Sequence, residues 1–440
     1  MSQEELLINL NSQIASLRTR IKELEADNAK LSTQLSNCSC NEAKEKLDSS
    51  TVQFSKSSVE KSGEINYGEV KSTRKKTREK TPGTGYHTRT INHHMRRYVA
   101  LKVMYFGQRF YGFSSEGQMD PTVESEIFKA LERTRLLIGE KKEIQYSRCG
   151  RTDKGVSAVG QVIALFLRSK LKNVGAVDKF SGESEEHNEE EIDYVRVLNR
   201  VLPNDIRILG WCPVPNDFNA RFSCLSREYK YFFWGDNLNL LAMESASKKF
   251  IGEHDFRNFC KMDAANVHNY RRHITSFEIL PCNMRFEGNQ LCEIKIRGSA
   301  FLWHQVRCMV AVLFMVGQGL ESPDVIDLLL DADRTPRKPQ YPMAPEIPLV
   351  LHSCEFEDLR FTCSTDAGQA LRTHLENECQ LYQLQAAIFH EALLSCLPFS
   401  NDRSSFNNGT VKKKASHIPL MLRPTEPSYG ERRAKLEMRR

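Results

Sequence analysis

The chain has 440 residues, of which 40% are hydrophobic and 27% charged, which is enough for a large core with two subdomains and appended segments. Its net charge is +6, and its longest apolar run, residues 309–316, is far shorter than the roughly 20 residues that span a bilayer. The 13 cysteines and 12 histidines show neither a CxxC pair nor zinc-ligand spacing, which predicts reduced thiols and no metal site.

Residues 1–37 are predicted to form a coiled-coil helix, because apolar residues repeat with heptad spacing between residues 7 and 35. The a positions hold Leu7, Ile14, Ile21, Asn28 and Leu35, and the d positions hold Leu10, Leu17, Leu24 and Leu31. Leucine at d with β-branched residues at a favours a parallel two-stranded coil, and a single Asn at a fixes its register. We therefore expect self-association here, with a single amphipathic helix packed on the body as the alternative.

Residues 38–97 are predicted to form a disordered basic linker, because they are polar and rich in Ser, Lys and Glu. Residues 71–97 carry nine Lys or Arg against one Glu, and the last thirty residues carry nine against three acids. Basic arms beside a nearly balanced core favour a polyanionic partner such as RNA or DNA. The run Arg74–Arg78 fits either a nuclear-import signal or an RNA-contacting arm, and we expect the protein in the nucleus and the cytoplasm.

The folded body is predicted to begin with an alternating strand at Tyr98–Tyr105, followed by a loop of glycines and aromatics, Phe106–Phe113. Thr122 then caps a helix that runs to about Leu137. Further predicted elements are strand 160–167, an acidic insertion at 181–193, a helix-and-strand unit at 195–209, strands 221–234 and 293–297, and helices at 301–316, after Ser322-Pro323-Asp324 and at 367–394. This order indicates an α+β fold with helices on one face of a mainly antiparallel sheet.

The segment Ser147–Ala158 places one carboxylate, Asp153, between a cation, Arg151, and a Lys-Gly turn. Lys-Gly favours a tight turn because glycine adopts positive φ at no steric cost. A loop at a strand end is where a rigid scaffold presents reactive groups, and an arginine two residues away can hold the carboxylate ionised. From these residues alone, Asp153 fits both an ordinary turn former and a catalytic carboxylate.

The strand Arg221–Tyr231 alternates cations with aromatics. Because side chains alternate along a strand, Tyr229 and Tyr231 are predicted on one face and Lys230 on the other. One face could then stack a base while the other holds phosphate. The alternative is that both tyrosines are half-buried residues of a sheet.

Arg307 enters the predicted apolar helix at 301–316. A cation in so hydrophobic an element costs free energy unless an acid pairs with it. The alternative is that the side chain reaches outward to solvent. His304 is interpreted as a packed or hydrogen-bonded residue rather than a base, since the sequence marks no third member of a triad.

These segments resemble motifs of the TruA-type pseudouridine synthases. Gly150–Val156 is similar to the family's Gly-Arg-Thr-Asp-x-Gly-Val loop, Phe218–Ser223 with Arg227–Tyr231 to the next motif, and Phe301–Arg307 to a Phe-x-x-x-x-Val-Arg motif. The resemblance covers residues 98–360 and includes 198–207, 252–256 and 344–350.

The resemblance implies a role for each candidate residue. Asp153 is expected to be the catalytic carboxylate, and Arg307 is expected to bridge to it. Tyr229 is expected to line the uridine pocket and stack on the flipped base, and Arg151 to fill the space that the base leaves. Glu228 departs from the pattern, because family members often carry a second arginine at this position.

The resemblance also implies two ferredoxin-like (RRM-like) subdomains, 98–200 and 201–360, that share a sheet and a central RNA-binding cleft, followed by a C-terminal helix and basic tail at 361–440. The expected activity is the isomerisation of uridine to pseudouridine in tRNA, without a cofactor, by a homodimer formed through the catalytic body and the coiled coil. Residues 254–263, 338–341 and 419–424 resemble the eukaryotic branch that modifies positions 38 and 39 of the anticodon stem-loop. The alternatives are a branch with other RNA targets and a non-catalytic RNA-binding scaffold.

Overall fold

A computed structural model describes residues 95–115, 119–137, 143–171, 191–286, 288–396 and 417–438, together with Arg18, Thr19, Lys22 and Ala26. The chain divides into two units, Met1–Gly85 and Tyr86–Arg440, and the four described residues of the first unit are helical and exposed. The rest of the predicted coiled coil, residues 38–94 of the predicted linker and residues 181–190 of the predicted acidic insertion lie outside the described residues. No helix of the described residues has the length and apolarity that crossing a membrane requires.

The second unit alternates strands and helices. Its described strands are β1 (Arg96–Tyr105), β2 (Ser147–Arg148), β3 (Ser157–Arg168), β4 (Ile206–Pro213), β5 (Cys224–Trp234), β6 (Gly252–Asp255), β7 (Arg271–Phe286), β8 (Asn289–Gly298) and β9 (Leu349–Phe356). Its described α-helices are α1 (Val123–Arg133), α2 (Tyr194–Asn199), α3 (Leu240–Lys248), α4 (Gln305–Gly317), α5 (Val325–Leu330), α6 (Thr365–Leu394) and α7 (Tyr429–Glu437). Short 3₁₀ turns lie at Arg257–Phe259 and Leu420–Leu422.

All nine strands belong to one sheet, in the order β4-β1-β3-β9-β5-β8-β7-β6, with β2 paired to β3. Every described strand pair is antiparallel except β3 with β9. The predicted α+β class with a mainly antiparallel sheet is therefore confirmed. The one parallel pairing among the described strands is short, joining Ser157 to Val350 and Ala158 to Leu351. We call this β3–β9 boundary, where few hydrogen bonds join the strands, the seam of the sheet.

Helices cover the sheet on each side of this seam. Apolar side chains of α1 and α2 pack with those of β1, β3 and β4, and Leu131 and Leu165 are fully buried there. Side chains of α3, α4 and α5 pack with those of β5, β7 and β8, where Ile294 and Met309 are fully buried. Burying each such side chain stabilises the fold by about 2 kcal/mol, so the two clusters make the sheet a rigid support for its loops.

The helix predicted after Thr122 forms with the expected cap. The Thr122 hydroxyl accepts a hydrogen bond from the Ser125 N–H, and the Ser125 hydroxyl accepts one from the Thr122 N–H. The helix ends at Arg133, earlier than the predicted Leu137, and Arg135 beyond it has a φ of 52° that no helix accommodates.

The helix predicted at 301–316 starts later, at Gln305, because His304 before it adopts a left-handed conformation with a φ of 61°. Buried residues occur on every side of this helix, which explains its continuous apolar sequence. The helix predicted to open at Ser322-Pro323-Asp324 begins at Val325, after a tight turn in which the Val325 N–H donates to the Ser322 carbonyl.

Candidate active site

Two glycines bring the loop at 106–113 onto the Asp153 loop. A Cβ at Gly107 would lie 2.1 Å from the Val156 carbonyl oxygen, so only glycine allows this approach. Gly112 has a φ of 105° and lies directly against the Thr152 carbonyl, which accepts a hydrogen bond from the Phe113 N–H at 3.1 Å. The Gly/aromatic loop thus supports the backbone that carries Asp153.

Buried polar side chains fix the start of the Asp153 loop. Gln161 on β3 is fully buried, and its amide accepts from the Gly150 N–H at 3.1 Å and donates to the Gly150 carbonyl at 2.9 Å. The hydroxyls of Tyr105 and Thr152 are hydrogen-bonded at 2.7 Å, and Tyr105 is buried. Because each of these buried groups has its partner, the loop is held in one conformation.

Asp153 is mostly buried, with 23% of its side chain exposed. Trp303 donates its indole N–H to Asp153 Oδ1 at 3.1 Å. Burial raises the pKa of Asp153 to about 6, although the charge of Arg307, the Trp303 hydrogen bond and the charge of Lys261 all act to lower it. Asp153 therefore changes its charge just below neutral pH, which suits a reactive carboxylate better than a turn former.

His304 is the second neighbour of this carboxylate, with Nε2 at 3.5 Å from Asp153 Oδ2. Burial, with the nearby cations Arg307 and Lys261, lowers the pKa of His304 to about 4, so the ring is neutral at pH 7. A neutral ring can donate to a carboxylate from Nε2 without forming an ion pair. The ring is packed against the carboxylate, which agrees with the packed alternative in the interpretation of His304, and the backbone of this residue has a φ of 61°.

The prediction that Arg307 bridges directly to Asp153 is wrong, because the two side chains do not form an ion pair. Arg307, on α4, is instead paired with Glu346 at 2.8 Å, and its Nε donates to the Ala344 carbonyl at 2.7 Å. Glu346 packs directly against Gly155 of the Asp153 loop, where a Cβ would lie 2.5 Å from the Glu346 Cγ. Arg307 therefore acts on Asp153 in two ways, through its charge and through the position of Glu346.

Tyr229, on β5, lies beside the Asp153 loop. It pairs with Leu351 of β9, which in turn pairs with Ala158 of β3. Its partly buried ring packs edge-on against Phe301, with the ring centres 5.0 Å apart. Burial raises the pKa of Tyr229 well above its ordinary value, so the hydroxyl stays protonated.

The other face of β5 is charged, as the alternation predicted. Lys230 is paired with Glu293 at 2.9 Å, whereas Tyr231 is buried in the core. Glu228 is also buried, and Arg297 donates to it at 3.1 Å. The position where the family often carries arginine is thus occupied by an acid already satisfied within the protein.

Arg151 is exposed at the mouth of the loop, two residues before Asp153. Lys261 was not predicted from the sequence, and its ammonium lies 4.1 Å from the centre of the Trp303 ring. Trp303 was not predicted either, although it lies within the Phe301–Arg307 motif. An exposed aromatic beside a cation is a pattern that can indicate a ligand-binding site. Gln161 and Glu346 gave no comparable signal, because Gln161 acts through the Gly150 backbone and Glu346 through an ion pair with Arg307 that only the fold creates.

The arrangement combines one ionisable carboxylate with cations and an exposed aromatic surface. A carboxylate of this kind can act as a nucleophile or as a general base. Lys261 and Arg151 can attract a polyanion, and aromatic rings such as Trp303 can stack on bases. These properties favour a site that performs chemistry on a nucleic acid.

Comparison with known proteins agrees. The family described as tRNA pseudouridine synthase matches residues 246–357. The chain is 47% identical over 309 residues to the human tRNA pseudouridine(38/39) synthase, covering 68% of this chain and 64% of that protein. It is 43% identical over 311 residues to the Saccharomyces cerevisiae tRNA pseudouridine(38/39) synthase, covering 67% of this chain and 66% of that protein. It is 35% identical over 350 residues to a probable tRNA pseudouridine synthase of Caenorhabditis elegans, covering 76% of this chain and 85% of that protein.

The chain spans 60 to 64% of the length of the human, bovine and mouse tRNA pseudouridine(38/39) synthases that it matches. The family match at 246–357 contains Trp303, Arg307 and Glu346, whereas Asp153 lies before it.

Proposed function

Because the chain belongs to the TruA family of tRNA pseudouridine synthases, we propose that it isomerises uridine to pseudouridine in the anticodon stem-loop of tRNA, at positions 38 and 39. The observation that carries this proposal is Asp153, a mostly buried carboxylate with a pKa of about 6 on a glycine-supported loop beside Trp303 and Arg307. The relatives that bear the 38/39 name support the choice of positions.

The reaction breaks the N1–C1′ bond of uridine, turns the base and joins C5 to C1′, with the C5 proton lost and a proton gained at N1. Asp153 starts it either by adding to C1′ or by removing the C2′ proton. The target base first leaves the stem-loop stack, which costs a few kcal/mol. Tyr229 stacks on the flipped base, and Arg151 fills the space that it leaves.

We also propose that the sheet consists of two ferredoxin-like halves. The first runs β1-α1-β2-β3-α2-β4 with strand order β4-β1-β3-β2, and the second runs β5-α3-β7-β8-α4-β9 with order β9-β5-β8-β7. Both follow the βαββαβ pattern, with β6 and α5 as additions to the second. Because β4 pairs with β1, the first half extends from residue 98 to Pro213 rather than ending at residue 200.

The test of the function is to incubate purified protein with unmodified tRNA that carries uridine at positions 38 and 39 and to map every pseudouridine formed. We expect new pseudouridine at these two positions, and none there in a matched tRNA with cytidine at both. Pseudouridine at other positions alone would support the branch with other targets. Tight tRNA binding without any pseudouridine would support the non-catalytic scaffold. Either outcome would overturn the proposal.

Self-association of the protein is the second part of the proposal, through the catalytic body and the predicted coiled coil at 1–37. A further surface supports it, because α6 exposes large apolar side chains that include Leu384, Ile388 and Phe389, the last at 76% exposure. Apolar side chains at helical spacing on one exposed element are typical of association surfaces.

Deleting residues 1–37 is therefore expected to weaken the dimer by about tenfold or more without changing chemistry at saturating tRNA, since the heptads are predicted to link two chains and this segment carries none of the candidate site residues. Sedimentation velocity over a range of protein concentrations measures the first effect, and single-turnover rates measure the second. If the truncated protein dimerises as tightly as the full chain, the heptads do not contribute to the dimer.

A further inference from the structure

Three cysteines that are far apart in the sequence meet beside the candidate active site. Cys149 follows β2, Cys224 begins β5 and Cys354 lies on β9. Their sulfur atoms all lie within 4.8 Å of one another, and Cys149 and Cys224 are buried. Ordinary packing would bring such thiols together only by chance, whereas three converging sulfurs form most of a soft-metal site.

The charge around this thiol cluster (Cys149, Cys224 and Cys354) is positive. Arg227, half-buried on β5, donates to the carbonyl oxygens of Cys149 at 3.3 Å, Arg221 at 2.7 Å and Ser299 at 2.6 Å. Among the described residues, it makes no ion pair with a carboxylate. A half-buried cation without an acidic partner is costly, so a negative charge is expected next to it.

The cluster can supply that charge. Cysteine binds metal as a thiolate, and three sulfurs that all lie within 4.8 Å of one another can share one ion. A site of three thiolates would therefore place negative charge beside the Arg227 guanidinium.

We propose that the thiol cluster binds one Zn²⁺ ion through three thiolates. Zinc–sulfur bonds of about 2.3 Å in tetrahedral geometry place sulfurs about 3.8 Å apart, so shifts of about 1 Å or less close the site. Three thiolates with a divalent ion carry a charge of −1, which Arg227 neutralises, whereas a monovalent ion would leave −2. Water would fill the fourth position, and binding would release the thiol protons.

The ion would cross-link three segments at the point where the sheet is weakest. Cys354 lies on β9 and Cys224 on β5, whereas the Cys149 N–H donates to the Val162 carbonyl of β3 at 2.8 Å. The site therefore joins both sides of the seam, where β3 and β9 share only a short pairing. Cys149 also directly precedes Gly150, where the Asp153 loop begins. Zinc bound to Cys149 would therefore hold the start of this loop in place.

The sequence predicts no metal site because these cysteines occur singly, far apart in the chain, without the short spacing of zinc fingers. The pairings of β2 with β3, of β3 with β9 and of β9 with β5 bring them together.

The test is the metal content of full-length protein prepared without chelators, with Zn²⁺ as the probe. We expect about one zinc per chain in the natural protein and at least about 100-fold weaker zinc binding in Cys224→Ser and in Cys354→Ser. Cys212→Ser is the matched control, since Cys212 is equally buried in the same apolar cluster but is not among the three. It should keep its zinc. Replacement of zinc by Co²⁺ should give thiolate charge-transfer absorption in the natural protein and in this control.

A second measurement needs no variant, in case the serine substitutions unfold the chain. Zinc should slow alkylation of Cys149, Cys224 and Cys354, and a chelator should restore it, while alkylation of Cys212 stays unchanged. Protein that takes up no stoichiometric zinc, or that keeps it after either cluster substitution, would overturn the proposal. So would a disulfide between two of these cysteines in the native protein. Because these experiments measure metal content and thiol reactivity, their outcome does not depend on the outcome of the tRNA assay.

Discussion

Replacing Asp153 with asparagine is expected to abolish uridine isomerisation while leaving tRNA affinity within a few-fold. The substitution keeps the volume and the turn preference of the side chain but removes the charge that either mechanism needs. The loop itself should persist, because Gln161 and the Gly/aromatic loop hold it through backbone contacts. Single-turnover rates at saturating tRNA measure the effect, with the exposed Asp217→Asn as the matched control. A tenth of the natural rate remaining in Asp153→Asn would contradict the catalytic assignment.

The same substitution should raise the free energy of unfolding at neutral pH. Asp153 has a folded-state pKa of about 6, above its ordinary value of 3.8, so its stabilising contribution is complete below pH 3.8 and is lost as pH rises through 6. At pH 7 the folded protein holds a charge that burial disfavours. Asparagine removes this charge, which should stabilise the fold by up to about 3 kcal/mol, and less where water reaches the carboxylate. Denaturant unfolding at pH 7 and at pH 4 should show a much larger difference at pH 7 than at pH 4.

The Asp153 loop is predictable from sequence because its chemistry is local. A cation, the carboxylate, a turn and a strand follow one another within a dozen residues, and the structure keeps that order directly before β3. Tyr229 is predictable for a similar reason, since the alternation of β5 places it on the opposite face from Lys230. The α+β class follows from the order of the elements.

Contacts between distant segments were not predictable. The sequence suggests that Arg307 needs an acid, but Glu346 and Asp153 are both available, and only the fold selects Glu346. Strand β7 was missed because its residues are exposed on both faces along much of its length, so no clear alternation appears. The convergence of Cys149, Cys224 and Cys354 likewise depends on strand pairing.

The pair formed by Arg307 and Glu346 should control both the rate and its pH dependence. Arg307→Met removes a cation that lowers the pKa of Asp153 and leaves Glu346, whose charge raises it, without a partner. The pH at which the single-turnover rate is half-maximal should therefore rise. The maximal rate should fall by about 100-fold or more, because the Glu346 segment that packs on Gly155 loses its anchor. Arg307→Lys should rescue only partly, since an ammonium cannot reach Ala344 and Glu346 in the same fork.

Glu346→Gln should act in the opposite direction on the pH dependence. It removes the charge that raises the pKa of Asp153 while Arg307 keeps lowering it, so the half-maximal pH should fall. Arg337→Met, which breaks an exposed ion pair with Glu431, is the matched control and should change neither quantity. A purely structural role for Arg307 would lower the rate in both variants without moving the pH midpoint. Midpoints that move in opposite directions would instead mean that the pair acts on Asp153 through its charge, although it does not touch the carboxylate.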